Sequence, residues 1–186
     1  MANHYLQFSE VLPHLTGDEE RWLQHQLEVV LVFRGREYVK GSLPEGLDPA
    51  EAEWTGCRVY RDLEGFESEF DESAGFEYRF SNDLHGDGSR QFWIYADESG
   101  DLERLAHLIQ KFLCQFRPDQ CWSLTYATTC SKPRLGEFGG GALFVTADEI
   151  KWHNAEEFIQ QERAAVTGAK MGSADRTAKE ISDDRC

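Results

Sequence analysis

The chain has 186 residues, 40 % apolar and 12 % aromatic, with 34 Asp and Glu against 19 Lys and Arg for a net charge of −15. That length fits one ordinary domain, and five Trp with twelve Phe supply enough ring surface to offset chain entropy, which excludes a wholly disordered acidic chain. The longest apolar runs, such as Val29 to Phe33, are far short of the roughly 20 residues of a membrane-spanning helix, and no basic-then-apolar leader opens the sequence. The expectation is a cytoplasmic protein with no membrane partner.

In chain order, the first clear element is a helix from about Gly17 to Glu28. Thr16 and Glu19 form a capping box, and Trp22, Leu23 and Leu27 make an apolar stripe. Val29–Phe33 reads as a strand, and Glu37–Val39 as its return after the Arg34-Gly35 turn. Asp48-Pro49-Ala50-Glu51 has the residues of a helix start, Cys57–Arg61 reads as a strand, and Leu63–Ala74 as an acidic mobile connector. Phe76, Tyr78 and Phe80 alternate with polar residues, and Gln91–Ala96 is apolar on both faces, which predicts an antiparallel hairpin. The face carrying Trp93 and Tyr95 is expected to form a second core layer under the N-terminal segment; left open, it would be an aromatic patch suited to a protein or ligand contact.

A strong amphipathic helix follows from Asp101 to Phe116, stopped by Pro118. Trp122–Cys130 and Ala142–Thr146 predict a second hairpin, joined by a loop over Ser131–Gly141. Thr146 and Glu149 read as a capping box opening a final helix to about Ala165. The residues from 166 to 186 read as a disordered tail behind a single domain over 1–165. Adjacent hairpins with segregated helices imply an α+β fold, an antiparallel sheet with helices mainly on one face.

Charge is concentrated. Residues 45–77 hold eleven carboxylates and two arginines, a net −9. Glu45, Asp48, Glu51, Glu53, Glu64, Glu67, Glu69, Asp71 and Glu72 are therefore the candidate surface for a basic protein partner. Direct nucleic-acid binding is disfavoured by the same charge. In its sharpest form this reading is a nucleic-acid mimic of the kind used by anti-defence inhibitors. Duplex DNA carries a charge per roughly 1.7 Å of axis, whereas these carboxylates fall about 10 Å apart along extended chain. Mimicry thus requires folding to gather them, and a solvated acidic face is the plain counter-reading.

The alternative site is the loop over 130–141. Cys130, Lys132, Arg134 and Glu137 would make a ligand or enzyme site if the cations lowered the thiol pKa. Strand alternation also places Cys130 with Trp122 and Leu124, the pattern of a buried structural thiol. Gly139-Gly140-Gly141 leads into a strand rather than a helix, so it reads as a turn or bulge and not as a phosphate cradle. Six histidines and five cysteines (Cys57, Cys114, Cys121, Cys130, Cys186) show no metal-ligand spacing, and no cofactor is implied. An odd, unpatterned set of cysteines points to a reducing compartment.

The stretch from Phe116-Arg-Pro-Asp-Gln-Cys-Trp122 through Gly139-Gly-Gly-Ala-Leu-Phe-Val-Thr-Ala-Asp-Glu-Ile150 resembles the signature of a family of uncharacterised bacterial proteins. Phe8-Ser-Glu-Val-Leu-Pro13 resembles that family's N-terminus. The resemblance implies one domain over roughly residues 1–165 and brings no activity or site residue with it.

Overall fold

The structure, a computed structural model, describes residues 3–33, 36–40, 42–43, 45, 56–59, 73–82, 88–132 and 137–164. The elements are β1 (His4–Leu12), α1 (Gly17–Leu27), β2 (Val30–Phe33), β3 (Arg36–Val39), β4 (Gly56–Arg58), β5 (Glu77–Ser81) and β6 (Gln91–Ala96). They continue as α2 (Leu102–Phe116), β7 (Cys121–Cys130), β8 (Gly139–Thr146) and β9 (Ile150–Asn154), then a helical stretch α3 over 155–164. The fold is α+β.

Six antiparallel strands form the main sheet in the order β5-β6-β1-β7-β8-β9, and β3-β2-β4 form a second, three-stranded sheet. β1 was not expected from the sequence, yet it lies at the centre. Its first half pairs with β7, from His4 opposite Cys130 to Phe8 opposite Tyr126. Its second half pairs with β6, from Phe8 opposite Ala96 to Leu12 opposite Phe92.

One face of this sheet carries the core. Phe8, Leu12, Phe92, Ile94, Trp122, Leu124, Leu143 and Val145 are buried there against Leu105, Leu108, Ile109, Phe112 and Leu113 of α2 and Leu23 and Leu27 of α1. Each such side chain contributes about 1.5–3 kcal/mol by leaving water. α2 begins where the Asp101 carboxylate accepts the Arg104 amide at 2.9 Å. It ends where the Arg117 amide donates to the Leu113 carbonyl, one residue before Pro118.

Two expectations are corrected. Trp93 and Tyr95 do not form a second core layer: they are half-buried on the opposite face, stacked with ring centroids 4.4 Å apart, and lie outside the core cluster. The N-terminal segment lies beside β6 as a strand rather than over it, and Trp93 Nε1 donates to Ser9 Oγ across the pair at 2.9 Å. Thr146 does not open a helix. Its hydroxyl still accepts the Glu149 amide at 3.1 Å, but the chain turns back, the Thr146 amide donates to the Glu149 carbonyl, and β9 adds to the edge of β8. The same hydroxyl-to-amide contact serves a tight turn as well as a helix start, and the open edge of β8 decides between them. Helix α3 starts later, capped by Asn154 Oδ1 accepting the Glu156 amide at 2.8 Å. The candidate helix start at Asp48, most of the 63–74 connector and the 166–186 tail lie outside the described residues.

The first turn of α1 ties three elements together. Glu19, 5 % exposed, accepts the Thr16 amide at 2.7 Å in the capping box. It also accepts Arg117 Nε at 2.6 Å and the other guanidinium arm at 3.0 Å. Arg117 further donates to the carbonyls of Pro13 and His14, each at 3.0 Å, so the turn after β1, the start of α1 and the end of α2 share one buried network. Next to it, Arg90 Nε donates to Glu20 Oε2 at 2.8 Å.

Burial works to raise the Glu19 pKa, but the hydrogen bonds from Arg117 and Thr16 and the Arg117 charge outweigh it, and the carboxyl lies below its ordinary value. A depressed folded-state pKa contributes stability that is complete above the unfolded pKa and is lost as pH falls through the folded value. Glu19→Gln is therefore expected to reduce unfolding free energy by about 3 kcal/mol at neutral pH. The gap to wild type should close from about pH 5 downward, read by urea denaturation across a pH series.

Candidate functional site

The core face of the sheet extends further than the helices that cover it. Along β7, Trp122 and Leu124 are buried, Tyr126 is half-buried and Thr128 is exposed. The cause is the stagger of β1: β6 flanks only its Phe8–Leu12 half, so toward His4 the sheet's inner face runs past the start of α2. A cleft of 1080 Å³ opens there. Its floor includes Leu6, Tyr126 and Thr128, one wall is the turn at Glu98–Gly100, and the other is α3 with Ile159 and Arg163.

Gly139, Gly140 and Gly141 lie in β8 and not in the loop, paired opposite Thr128, Ala127 and Tyr126. They are there because three chains approach too closely for side chains. A Cβ at Gly141 would meet the His153 carbonyl oxygen of β9 and come 2.7 Å from Tyr126 Oη. Gly140 has φ +155°, and a Cβ there would meet the Tyr126 carbonyl. The Tyr126 ring thus occupies the space over a glycine on the neighbouring strand, a cross-strand packing known to rescue glycine in sheets. Without side chains at these positions, the floor of the cleft stays open.

The far end of the cleft floor carries polar chemistry. Cys130 and His4 are directly opposed in the β1–β7 register. Asn3 holds this end together, its carbonyl accepting the Ser131 amide at 2.9 Å and its amide donating to Ser131 Oγ at 2.9 Å. Glu137 returns from the loop, and Cys130 Sγ donates to Glu137 Oε2 at 2.9 Å. His4 Nε2 lies 3.9 Å from Glu137 Oε1. One ligand-type atom from each of His4, Cys130 and Glu137 falls within 4.8 Å of the others.

Of the loop residues expected at this site, Cys130 is buried at 8 % exposure, Glu137 joins it, and Lys132 is exposed. Arg134 lies outside the described residues. Of the acidic set, Glu45 is exposed, and Asp48, Glu51, Glu53, Glu64, Glu67, Glu69, Asp71 and Glu72 lie outside the described residues. His4 is the residue that sequence reasoning missed. Only the pairing of β1 with β7 brings it to Cys130, and no local spacing encodes that pairing. Cys114, Cys121 and Cys130 are free thiols. Among the described residues no helix is long and apolar enough to cross a membrane. No protein-family model, curated protein or solved structure matches the chain.

The close approach of β7, β8 and β9 makes Gly141→Ala a specific test of this geometry. The added methyl meets backbone as well as the Tyr126 ring, so a loss of about 2–3 kcal/mol is expected. Gly17→Ala has open space for its Cβ and should change stability by less than about 1 kcal/mol. Chemical denaturation of the two variants beside wild type measures both.

Proposed function

We propose that the chain is a ligand-binding domain and that the cleft over Leu6, Tyr126 and Thr128 is its site. The observation that carries this reading is a sheet face left uncovered beyond α2, floored in part by glycines, ending on His4 and Glu137 with Cys130 buried behind them. Concave sites with an apolar body and a few convergent polar groups are the usual form of small-molecule sites. The cleft combines the apolar side chains of Leu6, Phe138 and Ile159 with a more polar rim that includes His4, Glu98, Glu137 and Arg163. Phe138, 55 % exposed, and Ile159, 47 % exposed, flank it as large apolar side chains facing water. A small molecule with an apolar body lying against Leu6, Phe138 and Ile159, and a polar head reaching His4 and Glu137, fits this lining.

Every residue of α3 is exposed, so this wall is held by few core contacts. Elements with that character open at low free-energy cost, which suits a wall that must admit and release a ligand.

Thr128→Trp fills the cleft from an exposed position of its floor. In a thermal-shift screen against small carboxylates, amines and aromatic acids, the wild type is expected to gain several degrees with at least one compound class. The filled variant should gain none. Equal shifts for both proteins, or no shift for either, remove the reading.

A second reading rests on charge. Residues 45–77 carry a net −9 in a chain whose remaining residues hold −6, which favours a basic protein partner and, more specifically, a protein that ordinarily holds nucleic acid. Replacing Glu64, Glu67, Glu69, Asp71 and Glu72 with Gln or Asn is then expected to abolish low-salt capture of a basic protein from the host, and to abolish displacement of duplex DNA from that protein. A captured set unchanged by the substitutions sinks this reading.

A further inference from the structure

We propose that His4, Cys130 and Glu137 form a binding site for a divalent, borderline-soft transition ion of the zinc type, with a fourth coordination position open to the cleft. The proposal stands on the three ligand atoms and not on any occupant of the cleft, so the two readings can fail separately.

The donor set comes first. An imidazole nitrogen, a thiol sulfur and a carboxylate oxygen converge from β1, the end of β7 and the start of the β8 strand region, all within 4.8 Å. Thiolate with imidazole selects zinc-like ions over magnesium or calcium, which take oxygen donors. Three protein ligands with one vacant position is the arrangement of sites that bind an exchangeable water or ligand, whereas closed four-ligand sites are structural.

Geometry agrees. Tetrahedral bond lengths to sulfur, nitrogen and oxygen require ligand atoms about 3.4–3.6 Å apart. Cys130 Sγ and Glu137 Oε2 are 2.9 Å apart, and His4 Nε2 and Glu137 Oε1 are 3.9 Å apart. The two contacts use different oxygens of Glu137, and one ligand atom from each residue lies within 4.8 Å of the others, so rotation of the Glu137 carboxylate and the His4 ring is what brings a single oxygen to both edges. The Asn3–Ser131 hydrogen bonds already hold the ends of β1 and β7, which carry His4 and Cys130, together.

Charge also closes. Binding breaks the Cys130 S–H bond, whose proton already points to Glu137 Oε2. The sulfur lone pair forms the bond to the metal, and the proton leaves to solvent. Thiolate and carboxylate then neutralise the two positive charges of the ion, with His4 as a neutral donor. The exposed side of His4, whose side chain is 62 % accessible, leaves the fourth position facing the cleft, where the polar head of a bound molecule could replace water.

Cobalt(II) is the probe. The full reduced chain, titrated with Co2+ in a non-chelating buffer, is expected to take up one equivalent and develop thiolate-to-cobalt charge-transfer absorption with the visible bands of four-coordinate cobalt. Equimolar Zn2+ should bleach both. Cys130→Ser should abolish the charge-transfer band, and His4→Ala and Glu137→Gln should each weaken affinity by at least about tenfold. Cys114→Ser and Cys121→Ser should leave the spectrum unchanged. Absence of saturable equimolar binding, or a charge-transfer band that survives Cys130→Ser, overturns the proposal. If Cys130→Ser fails to fold, His4→Ala decides it: the side chain is exposed, circular dichroism verifies the fold, and an unaltered cobalt affinity overturns the site.

Discussion

The backbone hydrogen bonds on the two edges of β1 hold the main sheet together. One edge receives β6 and the other β7, and Phe8 is the single residue that pairs with both. Remove β1 and the sheet separates into the β5–β6 hairpin and the β7–β8–β9 meander, neither of which has another partner strand within the six-stranded order. A two-stranded hairpin is marginal alone. The burial of Phe92, Ile94, Trp122 and Leu124 under a single α2 therefore depends on β1 bringing the two units into one surface.

The stagger of that pairing also produces the candidate site. Because β6 reaches only to Phe8, the inner face near His4 is bordered by the Glu98–Gly100 turn, with the Leu6 amide donating to the Glu98 carbonyl at 3.0 Å. The glycines of β8 keep that surface low, and the thinly held α3 stands beside it. The packed core and the open cleft thus occupy different halves of one sheet, with Leu124 on the packed side and Thr128 on the open one.

The Glu19–Arg117 network fixes the other end of β1. Its carboxylate closes the α1 capping box and, through Arg117, gathers the carbonyls of Pro13 and His14. A buried ion pair gains little over an apolar pair of similar volume, but its directional hydrogen bonds specify geometry. Here they fix the angle at which the chain leaves β1 and enters α1, and hence how α1 lies against α2, where Trp22 meets Phe112 with ring centroids 6.1 Å apart.

What the residues determined on their own was local. The Thr16–Glu19 box, the apolar stripe of α2, and the alternation in β5 and β7 are contacts between near neighbours in the chain, so each could be read where it stands, and together they implied the α+β class. β1 could not be read, because Glu10 interrupts the inward series Leu6, Phe8, Leu12 and spoils its period. The strand glycines could not be read either, since their justification is a Tyr126 ring and a His153 carbonyl on other strands. Thr146 carried a motif valid for two structures, and the edge of β8 chose one. The candidate site divides between the two classes: Cys130 and Glu137 belong to the loop region named from the sequence, but His4 meets Cys130 through register, and register between distant strands is set by competition among all the hydrogen-bonding edges and buried faces of the fold, which no short window of sequence contains.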